Sequence, residues 1–163
     1  MCYFIISGIK NAGKTTCIMH LYNYLNQIGY NDAVQPIFTK NNDVICLLTN
    51  GRQFVLINSA SDNEKERREL ENFINNHNLF KDPKYSDLVV ITALRQWARS
   101  GYDCNIREAY EQTLNIHNRQ TANLIDITIG IDTNNTHKAQ VARYFRAITD
   151  MAINIISAAP FYL

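Results

Sequence analysis

The feature that most constrains this chain is a glycine-containing loop between an apolar run and an amphipathic segment near the N-terminus. Residues 3–6 are apolar or aromatic, as in a buried parallel strand. The loop, residues 8–16, reads GIKNAGKTT. Apolar residues then recur at helical spacing, at Ile18, Leu21, Leu25 and Ile28, and Gly29 is placed to end the helix. This order of strand, loop and helix predicts an α/β fold.

The loop has the residue types and spacing of a phosphate-binding site, G-x-x-x-x-G-K-[ST]. Gly8 and Gly13 allow the backbone to turn with its amide hydrogens pointing inward, and the first helical amides add the positive end of a dipole. Lys14 can reach the β- and γ-phosphates, and the Thr15 hydroxyl can bind Mg²⁺. The residues predicted to bind a nucleoside triphosphate are Gly8, Asn11, Ala12, Gly13, Lys14, Thr15 and Thr16.

Over about residues 3–29 the chain resembles the P-loop NTPase superfamily, whose loop motif is called Walker A. The loop is also similar to that of molybdopterin guanine dinucleotide adaptor proteins and of small uncharacterised bacterial P-loop proteins. Lys10 is the third residue of the motif and not the second, so it does not match the signature lysine of the MinD-like deviant loop. A dimer that exchanges this lysine is therefore not expected.

Residues 43–57, DVICLLTNGRQFVLI, predict an antiparallel hairpin, because two apolar runs are joined by Asn50-Gly51. The order of P-loop, helix, loop and hairpin resembles the GTPase and adaptor groups of the superfamily. The predicted fold is a three-layer α/β P-loop NTPase-like sheet, mostly parallel, with one antiparallel hairpin strand. At 163 residues, the chain is expected to form a single nucleotide-binding domain, residues 1–163.

A polar turn, residues 58–63, follows the hairpin, where those groups place a second phosphate-sensing element. This turn has no D-x-x-G, and no N-K-x-D follows a later strand, so ATP is favoured over GTP. Asp62 is the nearest acid for a Mg²⁺-bound water or for the nucleophilic water. The alternative is that Ser61 with Glu64, or Asp62 alone, caps the next helix.

Residues 87–95, DLVVITALR, predict a further buried parallel strand. Ligand sites in such sheets gather outside the carboxyl ends of the strands, so Thr92 and Arg95 should lie near the loop. Arg95 is predicted to contact a γ-phosphate or second substrate, with a purely supporting role as the alternative. Trp97, with Tyr102, is interpreted as a core residue, with stacking on a base as the alternative. The predicted catalytic residues are thus Lys14, Asp62 and Arg95, and the predicted metal ligands are Thr15 and Asp62.

The remaining segments predict three helices and an edge strand. Residues 63–76 form a charged helix, residues 105–118 a helix with an Asn105–Glu108 capping box, and Thr136 caps a final helix. Residues 124–131 alternate as in a half-exposed strand. Residues 31–42 are interpreted as a switch-like segment, in which Thr39 is the hydroxyl of interest.

Composition excludes several classes of function. Sixteen Lys and Arg balance 15 Asp and Glu, so no excess charge draws the chain to nucleic acid. The four cysteines have no zinc-site spacing and are interpreted as reduced thiols. Residues 151–163 are apolar but too short to cross roughly 30 Å of hydrocarbon. No signal-peptide pattern precedes the loop, so a cytoplasmic protein without a membrane or nucleic-acid partner is expected.

Three functional hypotheses follow from these residues. The first is Mg²⁺-dependent binding and hydrolysis of a nucleoside triphosphate, with ATP preferred, although the sequence contains no secure Walker B acid. The second is a nucleotide or small-molecule kinase, in which Arg95 and residues 99–107 hold the acceptor. The third is a non-hydrolysing nucleotide-binding adaptor, with residues 158–163 as a partner surface. The partner could be another protein or a second copy of the chain.

Overall fold

The computed structural model describes residues 1–39, 42–96, 101–116, 123–130 and 138–163. Within these ranges there are seven strands and four α-helices. In chain order they are β1 (Cys2–Gly8), α1 (Lys14–Gln27), β2 (Asn31–Asp32), β3 (Ile37–Phe38), β4 (Val44–Thr49), β5 (Phe54–Asn58), α2 (Glu64–Asn76), β6 (Val89–Arg95), α3 (Gly101–Thr113), β7 (Leu124–Thr128) and α4 (Lys138–Ile156). A short 3-10 turn, Pro83–Tyr85, precedes β6.

The strands form one mixed sheet in the order β2-β4-β5-β6-β1-β7, and β3 also pairs with β4. Strands β5, β6, β1 and β7 are parallel to one another. Strand β4 is antiparallel to each of its partners, β2, β3 and β5, so it alone among the described strands runs in the opposite direction. The prediction of an α/β fold with an antiparallel hairpin strand is confirmed, and β6 lies between β1 and β5.

Helices cover both faces of the sheet. Side chains of β1 alternate between the two faces: Phe4 and Ile6 pack with α1 and α4, whereas Tyr3 and Ile5 pack with α2 and α3. All four are buried, which explains why this parallel strand is a continuous apolar run. The helices of the first face contribute Ile18, Leu21, Leu25, Ala152 and Ile156, and those of the second contribute Leu70, Phe73, Ile74, Ile106 and Tyr110.

Helix α1 begins and ends at glycines. Gly13 is its N-cap, with a left-handed φ of 89°. At the other end Gly29 has φ 99°, and the amide of Tyr30 donates to the carbonyl of Leu25 at 3.0 Å. This pattern is a Schellman motif, which needs a residue that tolerates positive φ. The prediction that Gly29 ends the helix is confirmed.

Helix α2 is capped by a residue that the sequence analysis did not choose. Asn63 Oδ1 accepts a hydrogen bond from the amide of Glu66 at 3.0 Å, and Glu66 Oε2 accepts one from the amide of Asp62 at 3.4 Å. The prediction of a cap at Ser61 or Asp62 was therefore wrong. The Asn63 side chain satisfies one of the first amides of α2, that of Glu66, which leaves the Asp62 side chain available for other contacts.

Two other predicted elements differ at their ends. Helix α3 begins at Gly101, so Asn105 lies inside it and the predicted capping box is wrong. Strand β7 ends at Thr128 and lies at the edge of the sheet, with Ile129 buried just beyond it, as the alternation predicted. Trp97, residues 99–100, Ile131 and Thr136 lie outside the described residues, as does the side chain of Tyr102.

The C-terminal residues pack into the first face of the sheet. Phe161 is fully buried and makes an edge contact with Phe4, with ring centroids 6.0 Å apart. Its carbonyl accepts a hydrogen bond from Gln53 Nε2 at 3.0 Å. Residues 158–163 therefore contribute their main apolar side chain to the core of the chain itself, and Tyr162 is the large exposed side chain among them. Among the described helices, none combines the length and apolar character that a membrane crossing requires.

Candidate functional site

Several strand ends meet at one edge of the sheet. Strands β1, β5 and β6 end there at Gly8, Asn58 and Arg95. Because β4 runs in the opposite direction and its Ile45 pairs with Asn58, the start of β4 lies at the same edge. A cavity of about 340 Å³ opens at this edge, which we call the loop cavity. It is lined by Asn11, Gly13, Lys14, Thr15, Thr16, Asp43, Ser59, Ser61, Asp62 and Phe145.

The glycine loop has a conformation that explains its composition. Asn11 and Gly13 have positive φ, 63° and 89°, which asparagine and glycine tolerate best. A Cβ on Gly8 would lie 2.7 Å from the carbonyl oxygen of Ile129, so only glycine fits where β1 passes this backbone. The amide of Ala12 donates to the carbonyl of Ile9 at 3.2 Å, which closes a turn within the loop.

Lys14, the first residue of α1, folds back over the loop. Its side chain is buried, with the residue only 5% exposed, and Nζ donates to the carbonyl of Ile9 at 3.0 Å. The ammonium group is therefore held by the loop backbone at the wall of the loop cavity. A positive charge in this position can bind an anion that enters the cavity.

Thr15 is hydrogen bonded to a carboxylate, and that carboxylate belongs to Asp43. Thr15 Oγ1 donates to Asp43 Oδ1 at 2.8 Å, and Ser59 Oγ donates to the same oxygen at 3.1 Å. Asp43 is 8% exposed, and this burial raises the pKa of its carboxyl group, although the two hydroxyl donors oppose the shift. The Asp43 carboxylate and the Thr15 hydroxyl are thus held together beside Lys14.

Asp62 lies on another part of the cavity wall and is paired with Arg95. Arg95 Nε is 3.1 Å from Asp62 Oδ1, without the alignment of a hydrogen bond. The Asp62 side chain is 40% exposed and that of Arg95 only 9%. The structure therefore brings Lys14, Thr15, Asp62 and Arg95 to one edge, as predicted, but it places Asp43 and not Asp62 against Thr15. Arg95 is not among the residues that line the loop cavity.

Asp43 was missed because it was treated as the first residue of the hairpin. In α/β sheets, ligand sites gather after the ends of parallel strands, whereas Asp43 precedes a strand. An antiparallel strand begins at the edge where its parallel neighbours end, so the residues at its start lie at the same edge as these ligand sites. The predicted hairpin therefore indicates that an acid at its start lies at this edge. Only the pairing of β4 with β5 shows that this acid, Asp43, reaches Thr15.

Thr39 positions the start of β4. Its hydroxyl accepts a hydrogen bond from the amide of Asp43 at 3.3 Å, and its own amide donates to the carbonyl of Asp43 at 2.9 Å. The predicted switch-like segment also contains β2 and β3, which pair with β4, whereas Lys40 and Asn41 lie outside the described residues. Thr39 does not line the loop cavity, so its structural role is to orient Asp43.

A buried ionic network lies behind the loop. Arg107 of α3 donates through Nη1 to Ser7 Oγ and to the carbonyl of Arg95, both at 2.8 Å. Its Nη2 donates to Asp126 Oδ2 and its Nε to Glu111 Oε1, both at 2.7 Å. Ser7 Oγ donates in turn to Asp126 Oδ1 at 2.6 Å. The network joins the ends of β1 and β6 to α3 and β7, and the only sequence signal for it was the i,i+4 spacing of Arg107 and Glu111.

The oxygen atoms of Thr15 and Asp43 fit a magnesium ion that is also bound by a phosphate group. Among the described residues, no group of three or more His, Cys, Asp or Glu side chains could hold a metal ion. Magnesium, however, is commonly bound through one or two protein oxygens together with waters and substrate phosphates. The Thr15 hydroxyl and the Asp43 carboxylate supply two such oxygens, 2.8 Å apart at the cavity wall.

Comparisons of the chain with protein-family models, with curated proteins and with solved structures found no match. The geometry of the loop cavity is therefore the main basis for assigning a function.

Proposed function

We propose that this chain is a P-loop protein that binds a nucleoside triphosphate, preferably ATP, with Mg²⁺ at the glycine loop and hydrolyses it. The observation that carries the proposal is the 2.8 Å hydrogen bond from Thr15 to Asp43, beside the buried ammonium of Lys14. A cation and a hydroxyl at the start of a helix, with a carboxylate beside them, are the groups that a Mg²⁺-triphosphate complex requires.

Each side chain has a separate role in this proposal. Lys14 would exchange its contact with the Ile9 carbonyl for phosphate oxygens, which bind an ammonium more strongly because they carry charge. Thr15 and Asp43 would hold the metal, directly or through one of its waters. When bound, the ion would neutralise charge on the β- and γ-phosphates. Loop amides and the N-terminal end of α1 would complete the phosphate site.

Asp62 is the proposed residue for orienting the attacking water. It lines the loop cavity, is partly exposed, and is held by Arg95 of β6. In hydrolysis the oxygen of this water bonds to the γ-phosphorus, and the bond to the β,γ-bridging oxygen breaks. Because the Asp62 carboxylate is already engaged by Arg95, it is less available to a water, and we expect slow turnover.

The same ion pair favours a second candidate, a nucleotide-binding adaptor without efficient hydrolysis. If Arg95 keeps Asp62 from the water, the loop would bind a triphosphate without a positioned nucleophile. A kinase remains the third hypothesis, in which Arg95 would help to hold an acceptor; residues 99–100 of its predicted acceptor segment lie outside the described part of the chain.

The first experiment is titration calorimetry with ATP, GTP and ADP, each with and without Mg²⁺, on the native chain and on Lys14→Ala. We expect Lys14→Ala to weaken ATP binding at least about tenfold, since a charge-assisted hydrogen bond to phosphate is lost. The matched control is Lys10→Ala, because Lys10 is an exposed lysine of the same loop. Unchanged ATP affinity in Lys14→Ala would show that the proposal is wrong.

The variant Asp43→Asn separates metal binding from stability. Burial raises the pKa of Asp43, so without ligand the ionised carboxylate destabilises the fold as pH rises from the ordinary Asp value through the raised one. At pH 7.5 we therefore expect Asp43→Asn to melt at the same or a higher temperature, while ATP affinity loses its dependence on Mg²⁺. The control is the exposed Asp87→Asn. Retained Mg²⁺ dependence in Asp43→Asn would assign the metal to another acid, with Asp62→Asn as the next variant.

Phosphate release from ATP then decides between hydrolysis and simple binding. Release that requires Mg²⁺ and disappears in Lys14→Ala supports hydrolysis at the loop. Tight binding without release contradicts the hydrolysis step and supports the adaptor.

A further inference from the structure

A second cavity adjoins the loop cavity between α1 and α4, and we call it the helix groove. Its volume is about 480 Å³, and it is lined by Thr16, His20, Ala142, Phe145, Arg146, Thr149 and Asp150. Thr16 and Phe145 also line the loop cavity. The two spaces therefore share a wall and lie next to each other along α1.

The orientation of α1 determines which end of a triphosphate faces the helix groove. Successive helical residues point about 100° apart, so the side chains of Thr15 and Thr16 diverge. Thr15 is bonded to Asp43 of β4, whereas Thr16 lines the wall shared with α4. With Lys14 and Thr15 on the β- and γ-phosphates, the α-phosphate and the nucleoside that it carries would extend past Thr16 into the helix groove.

The helix groove has an aromatic ring at its entrance. Phe145 packs against the loop so closely that a Cβ on Gly13 would overlap its ring, and Tyr144 makes an edge contact with it at a centroid distance of 5.5 Å. Phe145 remains partly exposed and lines both cavities. A ring that neighbours hold in place loses little freedom when a flat, apolar group stacks on it.

Polar groups lie one turn further along α4. Thr149 Oγ1 is shielded from solvent and has no hydrogen-bond partner among the described residues. A buried hydroxyl without a partner is costly, and a ligand that supplies one removes this cost. Arg146 and Asp150 are exposed and add a donor and an acceptor to the lining of the groove. The helix groove thus combines a stacking face with hydrogen-bonding groups.

From these observations we infer that the helix groove is the nucleoside subsite, in which a base stacks on Phe145 and a nucleoside polar group bonds Thr149. This inference rests on the proposed function, because it assumes that the loop holds the phosphates. Since the area of stacked ring increases binding, purine triphosphates should bind more tightly than pyrimidine triphosphates.

The test compares inorganic tripolyphosphate, which has no nucleoside, with ATP, GTP, CTP and UTP, all in excess Mg²⁺. We expect the native chain to bind ATP at least about tenfold more tightly than tripolyphosphate. Phe145→Leu keeps an apolar side chain against Gly13 but removes the stacking ring. It should weaken ATP binding roughly 5- to 100-fold more than it weakens tripolyphosphate binding. The control is Met151→Ala, an exposed residue of α4 outside both cavities.

The outcomes separate the two proposals. If the native chain binds neither ATP nor tripolyphosphate, the proposed function at the loop is wrong. If tripolyphosphate binds but ATP binds no more tightly, the loop site stands and the nucleoside subsite is wrong. Equal weakening of both ligands in Phe145→Leu, or unchanged ATP affinity, would also overturn the subsite.

Discussion

At the scale of single residues, Gly13 and Gly51 have nearly the same backbone conformation in different surroundings. Their φ values are 89° and 85°, but a Cβ on Gly13 would overlap Phe145, whereas a Cβ on Gly51 would meet nothing within 4 Å. We expect Gly51→Ala to cost about 1–2 kcal/mol of left-handed strain. Gly13→Ala should cost at least about 1 kcal/mol more, because Phe145 must move. Urea unfolding of the two variants measures the difference.

The same pair of variants also tests the loop site. Under the proposed function, Gly13→Ala should weaken ATP binding, because the loop amides would hold the phosphates, while Gly51→Ala in the hairpin should bind normally. Equal free energies of unfolding for the two variants would contradict the close packing of Phe145 on the loop.

The cap of α2 shows how neighbouring residues compete for one role. Ser61, Asp62 and Asn63 are all good N-cap residues, so a local pattern cannot choose among them. Arg95 lies against Asp62, and Asn63 bonds the amide of Glu66. The use of Asn63 as the cap thus goes together with a contact between Asp62 and β6, a strand that is distant in sequence.

At the scale of secondary-structure elements, the Arg107 network is a buried polar link between α3 and the sheet. Removing one member of a buried charged network leaves the others unpaired, and this commonly costs 3–5 kcal/mol. We therefore expect Arg107→Met to lose about 3–5 kcal/mol of unfolding free energy. Arg68→Met on the exposed face of α2, where Arg68 pairs with Glu64, should lose less than about 1 kcal/mol.

Equilibrium urea unfolding measures both losses. Arg107→Lys is the second variant, because it keeps the positive charge but cannot reproduce the planar set of donors, and its stability should fall between those of the native chain and Arg107→Met. A loss in Arg107→Met no larger than that in Arg68→Met would show that the network is not an important link.

The hairpin of β4 and β5 could be predicted from the sequence, whereas the position of β6 in the sheet could not. Asn50-Gly51 predicts the hairpin from local turn chemistry, and the hairpin is present. The pairing partner of β5 on its other side, β6, comes from more than 30 residues later in the chain. Strand order depends on such non-local pairing, so the sequence pattern could not place β6 between β1 and β5.

At the scale of the whole molecule, two apolar cores share one sheet. Strand β1 contributes Phe4 and Ile6 to one core and Tyr3 and Ile5 to the other. Neither core can lose its packing without exposing residues of the shared strand, so we expect one cooperative unfolding transition. The calorimetric and van't Hoff enthalpies should therefore agree. Two resolved transitions would contradict the prediction of a single domain.

Patterns among neighbouring residues are enough to predict the strand–loop–helix order, the glycines at the two ends of α1, and the hairpin turn. Tertiary structure decided which acid reaches Thr15, because Asp43 lies 28 residues away and arrives through the reversed strand β4. It also brought Arg107 to Ser7 across 100 residues and Phe145 to Gly13. Local propensities arise from steric and hydrogen-bonding effects over a few residues, whereas these contacts depend on how distant elements pack around the sheet.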